Sequence, residues 1–269
     1  MCSICGIGFQ KGNKISNSKI IYKILQKLLI NGQARGKSAT GIAIADNKCI
    51  TVIKNNLPAD KFIKTSEFKK ILKQYIYFNK KENYISPIQI IGHCRMPTKG
   101  SPLNNENNHP IVTKSFVGVH NGVISNDNKL FNDHKNDFKR NGEVDSEIIF
   151  KLVEKYYIKY KNMPKAVQSA NLELSGSKTY AFISTKNPYL LWLFKDNNPV
   201  SILHYKKIGI IIFASDEKYI VNATKGISLG PVNKIPIQIE EGLGIDLLDS
   251  TMFRFKAMSN FNNKLIGYV

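Results

Sequence analysis

The chain has 269 residues, 42% of them hydrophobic and 10% aromatic, enough for one sizeable core and too few apolar runs for a membrane span: the longest, residues 208–214, is far short of a bilayer. The N-terminus lacks the basic and apolar regions of a secretory signal, and four cysteines (Cys2, Cys5, Cys49, Cys94) are too few for a disulfide scaffold, so a cytoplasmic chain with reduced thiols and no membrane partner is expected. The formal charge of +19 is spread along the chain and carried almost wholly by Lys, with Arg only at 35, 95, 140 and 254; nucleic acid therefore enters as a partner only through this basic surface or as an acceptor.

In chain order, residues 3–9 read as a short buried strand, and 17–31 as a helix whose Ile20, Ile21, Ile24, Leu25, Leu28 and Leu29 form one stripe, closed by Gly32. "TGIAIAD" and "CITVIKN" are two β-rich runs joined by Asp46-Asn47, the pattern of a hairpin, and a lysine-rich helical stretch covers about 59–81. "IQIIGHC" reads as a buried strand running into the polar loop "RMPTKGSPLNNENNHP", and "SFVGVHNG" as a strand that stops at Asn121-Gly122. Helices are expected over 126–139, 145–161 and near 164–171, then strands over 178–185, 189–194, 200–205, 208–214 and 235–240. With no repeat, linker or composition break, the simplest architecture is a single α+β domain with sheets layered between helices.

Two cysteines three residues apart open the chain, in "MCSICG". A structural zinc site needs a second spaced pair, which is missing, and no metal is expected; a redox dithiol would sit after a strand at a helix start, whereas this pair precedes and enters a strand. Cys2 alone offers different chemistry. A thiol needs a base at neutral pH, and once Met1 is removed the α-amine of Cys2 is within reach on the same residue.

Four fragments supply the rest of such a chemistry. "RGKSATG" contains Arg35 and "GHCRMPTKG" contains Arg95 and Thr98; an arginine in a chain that otherwise uses Lys points to geometric recognition of a carboxylate. "HNGVISN" holds Asn121 and Gly122, read either as a common turn or as donors for an oxyanion, and "EVDSE" holds Asp145 at a helix start, where an acid is favoured in any case.

Together with "CSICG", "FASDEKYI" and "EEGLGIDL", these fragments resemble the glutaminase domain of the class II, N-terminal-nucleophile glutamine amidotransferases, over residues 2 to about 248. The resemblance implies a four-layer αββα sandwich over 1–269, with 249–269 a C-terminal extension. It makes Cys2 the nucleophile, Asn121 and Gly122 the oxyanion hole, and Arg95, Thr98, Asp145 and Arg35 the binding residues for L-glutamine. No cofactor is implied. It also implies ammonia passed to a separate synthetase, because so short a chain leaves no room for a synthase domain. Ser3 and Ser38 depart from the family pattern, and a shifted alignment would make Cys5 the nucleophile. Alternatives are a catalytically degenerate regulatory subunit and an amide hydrolase of the same fold with another substrate.

Overall fold

The computed structural model describes residues 2–12, 18–46, 49–81 and 87–258. Its first sheet is built from β1 (Ser3–Phe9), β2 (Ala39–Ala45), β3 (Ile50–Asn55), β4 (Ile88–Arg95), β9 (Ser201–Tyr205), β10 (Ile210–Ala214) and β11 (Asn233–Ile235). The second uses β5 (Ile111–Val112), β6 (Phe116–Ile124), β7 (Gly176–Ser184), β8 (Leu190–Lys195), β12 (Glu241–Asp246) and β13 (Thr251–Lys256). The spatial orders are β11-β9-β10-β1-β4-β2-β3 and β13-β12-β8-β7-β6-β5, with neighbours antiparallel throughout.

Strand alternation sorts the apolar side chains into three cores. Cys5, Ile7 and Phe9 of β1 face outward onto the stripe Ile21, Ile24, Leu25, Leu28 and Leu29 of α1 (Ser18–Gly32), and the same layer holds α2 (Ala59–Phe62), α3 (Ser66–Lys81) and α7 (Glu217–Thr224). Phe116, Tyr180, Phe182 and Trp192 of the second sheet face the opposite helical layer, formed by α4 (Asp127–Asp133), α5 (Glu147–Tyr160) and α6 (Met163–Glu173). Ile4, Ile91, Val117, Val119, Ala181, Leu193, Phe213 and Leu243 meet between the sheets. The result is α+β, in the layer order helix, sheet, sheet, helix.

Several elements differ from the sequence reading. The long helix near 59–81 is broken at 63–65 into α2 and α3, and the helix expected over 126–139 ends at Asp133. β6 does not stop at Asn121-Gly122 but pairs with β7 as far as Ile124, because a glycine at φ 154° lets the ladder continue through the turn-like dipeptide. Of the expected strand over 235–240 only Ile235 is in a strand, as the last residue of β11, and residues 217–224 form α7, with the Asp216 side chain capping it by accepting the Lys218 N–H at 3.0 Å. Residues 251–256, at the start of the expected C-terminal extension, are edge strand β13. The hairpin of β2 and β3 is present, its turn residues 47–48 lying outside the described residues.

Candidate active site

β1, β4 and β6 end together at one edge of the sandwich, and their inward-facing residues create the site. By the alternation that points Ile4 inward, Cys2 enters the space between the sheets; His93 and Arg95 follow Ile91 inward from β4, and Asn121 follows Val117 and Val119 inward from β6. The layers are joined here by His93 Nε2, 3.0 Å from the carbonyl of His120.

Cys2 is partly exposed. Its Sγ lies 3.4 Å from both the N–H and the carbonyl oxygen of Met96, the residue that follows β4. Burial pushes its thiol above the ordinary value, opposed by the Met96 hydrogen bond and the charge of Arg95, so the resting group is a thiol that needs a base. The strand beneath is pinned by Ser215, whose Oγ accepts the Ile4 N–H at 2.9 Å and whose own N–H donates to the Ile4 carbonyl at 2.9 Å. Cys5 faces the other way into the helix-side core, and burial pushes its thiol up to about 12, which suits a small hydrophobe and not a nucleophile. Among the described residues no group of three or more His, Cys, Asp or Glu is placed to hold a metal ion. The Ser3 departure is accommodated by Gly32: a Cβ there would lie 2.9 Å from Ser3 Oγ, so the missing methyl makes room for the hydroxyl.

Arg95 is 2% exposed at the end of β4. Its guanidinium donates to Asn108 Oδ1 at 2.8 Å and to the carbonyls of Lys99 and Gly100 at 2.6 and 2.7 Å, with no carboxylate among these partners. Burial lowers its proton affinity while Cys2 and Asp145 act in the opposite sense, which places all three groups within electrostatic reach of one another. Asp145 is buried just ahead of α5; one carboxylate oxygen accepts the Ile124 N–H at 2.6 Å, and no hydrogen bond to the other is found among the described residues.

Asn121 is completely buried, yet neither its Nδ2 nor its Oδ1 has a hydrogen-bond partner among the described residues, a costly state for a carboxamide. Its backbone is fixed instead, the carbonyl accepting from Asn198 Nδ2 at 2.9 Å. At Gly122 a Cβ would lie 2.0 Å from the Ser177 carbonyl oxygen, so backbone angle and space both demand glycine. His120 points away from Asn121, to the α5 side, where Nδ1 is 2.7 Å from Ser146 Oγ.

Two sequence candidates make no hydrogen bond to these groups among the described residues. Thr98 is exposed on the 96–110 loop with no hydrogen bond among the described residues. Arg35 lies in the α1–β2 connection, which is tied to β4 by the Ser38 N–H donating to the Arg95 carbonyl at 3.1 Å; its Nη1 is buried without a partner among the described residues. Conversely, sequence reasoning missed Met96, whose peptide contacts the thiol, Asn108, which holds the guanidinium, and Ser215. All three sat in quoted fragments, but none carried a motif that named its partner.

Residues 93–222 match the glutamine amidotransferase domain family. The chain is 27% identical over 258 residues to a glutamine–fructose-6-phosphate aminotransferase (isomerizing) of Listeria monocytogenes, covering 91% of this chain and 37% of that protein. It is 32% identical over 161 residues to the enzyme of the same name from Oceanobacillus iheyensis, covering 56% and 26%. The chain thus spans well under half the length of these relatives. The solved structure of a glutamine phosphoribosylpyrophosphate amidotransferase from B. subtilis superposes with a TM-score of 0.70 at 18% identity, over 97% of this chain and 50% of that one, which shows a shared fold. Family match, relatives and fold agree with the layered site just described: residues 93–222 carry a glutamine amidotransferase domain, and the chain as a whole is similar to the class II, N-terminal-nucleophile glutamine amidotransferases.

Proposed function

We propose that this domain hydrolyses the side-chain amide of L-glutamine, with Cys2 as nucleophile, and that a synthetase site outside these residues uses the ammonia. The observation that carries the reading is the buried carboxamide of Asn121, without a partner among the described residues, on the strand facing Cys2. A preorganised donor without a partner in the resting protein is what an oxyanion that forms only during reaction requires.

After removal of Met1, the α-amine of Cys2 takes the thiol proton and the thiolate attacks the amide carbon. Asn121 Nδ2 and the Gly122 N–H donate to the oxyanion. Collapse expels ammonia, protonated by the α-ammonium just formed, and leaves a γ-glutamyl thioester, which water cleaves to glutamate. Arg95 takes the α-carboxylate and the open oxygen of Asp145 the α-ammonium, so both ends of the amino acid are read by charge. Thr98 and Arg35 approach the substrate from the loops beside Cys2. The pocket functions with the thiols reduced, as in the cytoplasm, and the ammonia-accepting synthetase is a separate subunit.

The test is release of glutamate and ammonia from L-glutamine, measured for the wild type and C2A. The reading requires turnover that C2A abolishes; turnover surviving in C2A would remove Cys2 from the mechanism. Co-purification from the native host tests the separate subunit: a second, synthetase-sized chain is expected in stoichiometric amount.

A further inference from the structure

The two charged groups assigned to glutamine's amino-acid end come from different parts of the chain, Arg95 from the end of β4 and Asp145 from the connection before α5. A buried side chain joins those parts. Asn107, on the 96–110 loop, is completely buried; its Oδ1 accepts the Glu143 N–H at 2.6 Å, and its Nδ2 donates to the Ser101 carbonyl and to Glu143 Oε2, each at 3.1 Å. Its carboxamide lies between two glycines: a Cβ on Gly100 would be 2.7 Å from the amide carbon, and one on Gly142 would be 2.8 Å from Oδ1.

Each end of this bridge leads directly to a recognition group. Gly100 supplies a carbonyl, and Asn108 an Oδ1, to the Arg95 guanidinium. On the other side Glu143 stands two residues before Asp145. The intervening segment is stiffened by Glu147, whose carboxylate accepts the N–H groups of Asn141 and Gly142 at 2.9 Å each. A second link, Lys99 to Asp127 at 2.5 Å and Arg140 to Asp127 at 3.0 Å, also spans loop and segment, but its cations are partly exposed. The buried link fixes the spacing.

We infer that Asn107 is a positioning residue that sets the distance between Arg95 and Asp145, and so makes the domain select amides that carry both an α-carboxylate and an α-ammonium. This rests on the glutaminase reading above. Loosening the bridge should weaken recognition of the amino-acid end without disabling Cys2, a pattern that a merely structural plug would not produce.

The isosteric N107D keeps the acceptor for the Glu143 N–H but replaces the donor with a carboxylate facing that of Glu143. The measurements are steady-state hydrolysis of L-glutamine and of 4-carbamoylbutanoate, which lacks the α-ammonium, together with Cys2 alkylation by iodoacetamide, which needs neither charged group. N107D is expected to raise KM for L-glutamine by about tenfold or more, with kcat and alkylation near wild type, and to erode the preference for L-glutamine by a similar factor. The double variant N107D/E143Q, in which the new carboxamide donates to the new carboxylate, should recover most of both losses. If N107D fails to fold, E143A at the exposed partner should show a smaller rise in the same direction. Unchanged KM and preference in the folded variant, or losses that the double variant does not reduce, would overturn the inference. Absence of wild-type turnover would overturn the glutaminase reading itself.

Discussion

At the scale of single residues the site is organised by what is left unsatisfied. Among the described residues Arg95 is held by carbonyls and an amide and not by a carboxylate, Asp145 has one oxygen engaged, and Asn121 has neither amide atom engaged. If the Asn121 amide serves the oxyanion, N121A should lower kcat by about 10²–10³ and move KM for glutamine little, because the interaction exists only once charge has developed. A mainly raised KM would instead place Asn121 in ground-state binding. R95K tests the planar fork in the same way: a point charge cannot replace two directed donors, so KM should rise although the charge is kept. The candidates were legible because each motif paired a residue type with a chemical need. Asn107, Asn108 and Met96 were not legible: a polar loop residue gives no sign of its partner until the loop is folded.

At the scale of elements, the strands carrying the site were read well where the apolar pattern is dense, as in β1, β4 and β10, all buried along their lengths. The errors lie where one local signal had two outcomes. Asn-Gly marks a turn in most sequences, but here β7 pairs alongside and carries β6 through it. "FASDEKYI" was matched as one fragment although only its first residues belong to a strand, and Tyr219, Ile220 and Ala223 at helical spacing seal α7 against the first sheet. The Gly122 backbone gives a direct check. G122A meets both a positive φ and the Ser177 carbonyl and should cost at least about 1–3 kcal/mol by urea unfolding. G226A, at φ 75° with nothing within 4 Å of the added Cβ, should cost less, since backbone strain is its only penalty. Equal costs at the two positions would mean that the close approach at Gly122 is not what requires glycine.

At the scale of the whole molecule, the four layers bury histidines where water does not reach. His93 and His109 stack with ring centroids 4.1 Å apart, with the backbone carbonyl of His120 next to them, and three of their ring nitrogens, Nδ1 of His93 and both of His109, are buried without partners among the described residues. Burial pushes His93 down to about 3 and moves His109 and His120 in the same direction. The fold therefore favours the neutral imidazoles. Stability should be full above the ordinary value of about 6.5 and fall as pH drops from there toward 3. His93 alone corresponds to a loss of about 2 kcal/mol between pH 7 and pH 5, and urea titrations should show uptake of more than one proton on unfolding near pH 5. A pH-independent stability over that interval would contradict the burial of this group. The same layers bring Cys2, Arg95, Asp145 and Asn121, distant in sequence, to one edge, and the claim on which everything functional depends is that Cys2 is the nucleophile. The most direct measurement is the intact mass of protein with an untagged N-terminus, with and without the glutamine analogue 6-diazo-5-oxo-norleucine, followed by peptide mapping. The account predicts loss of Met1 and a single adduct on Cys2, blocked by excess L-glutamine; an unmodified protein lacking Met1, or an adduct on Cys5, would contradict it.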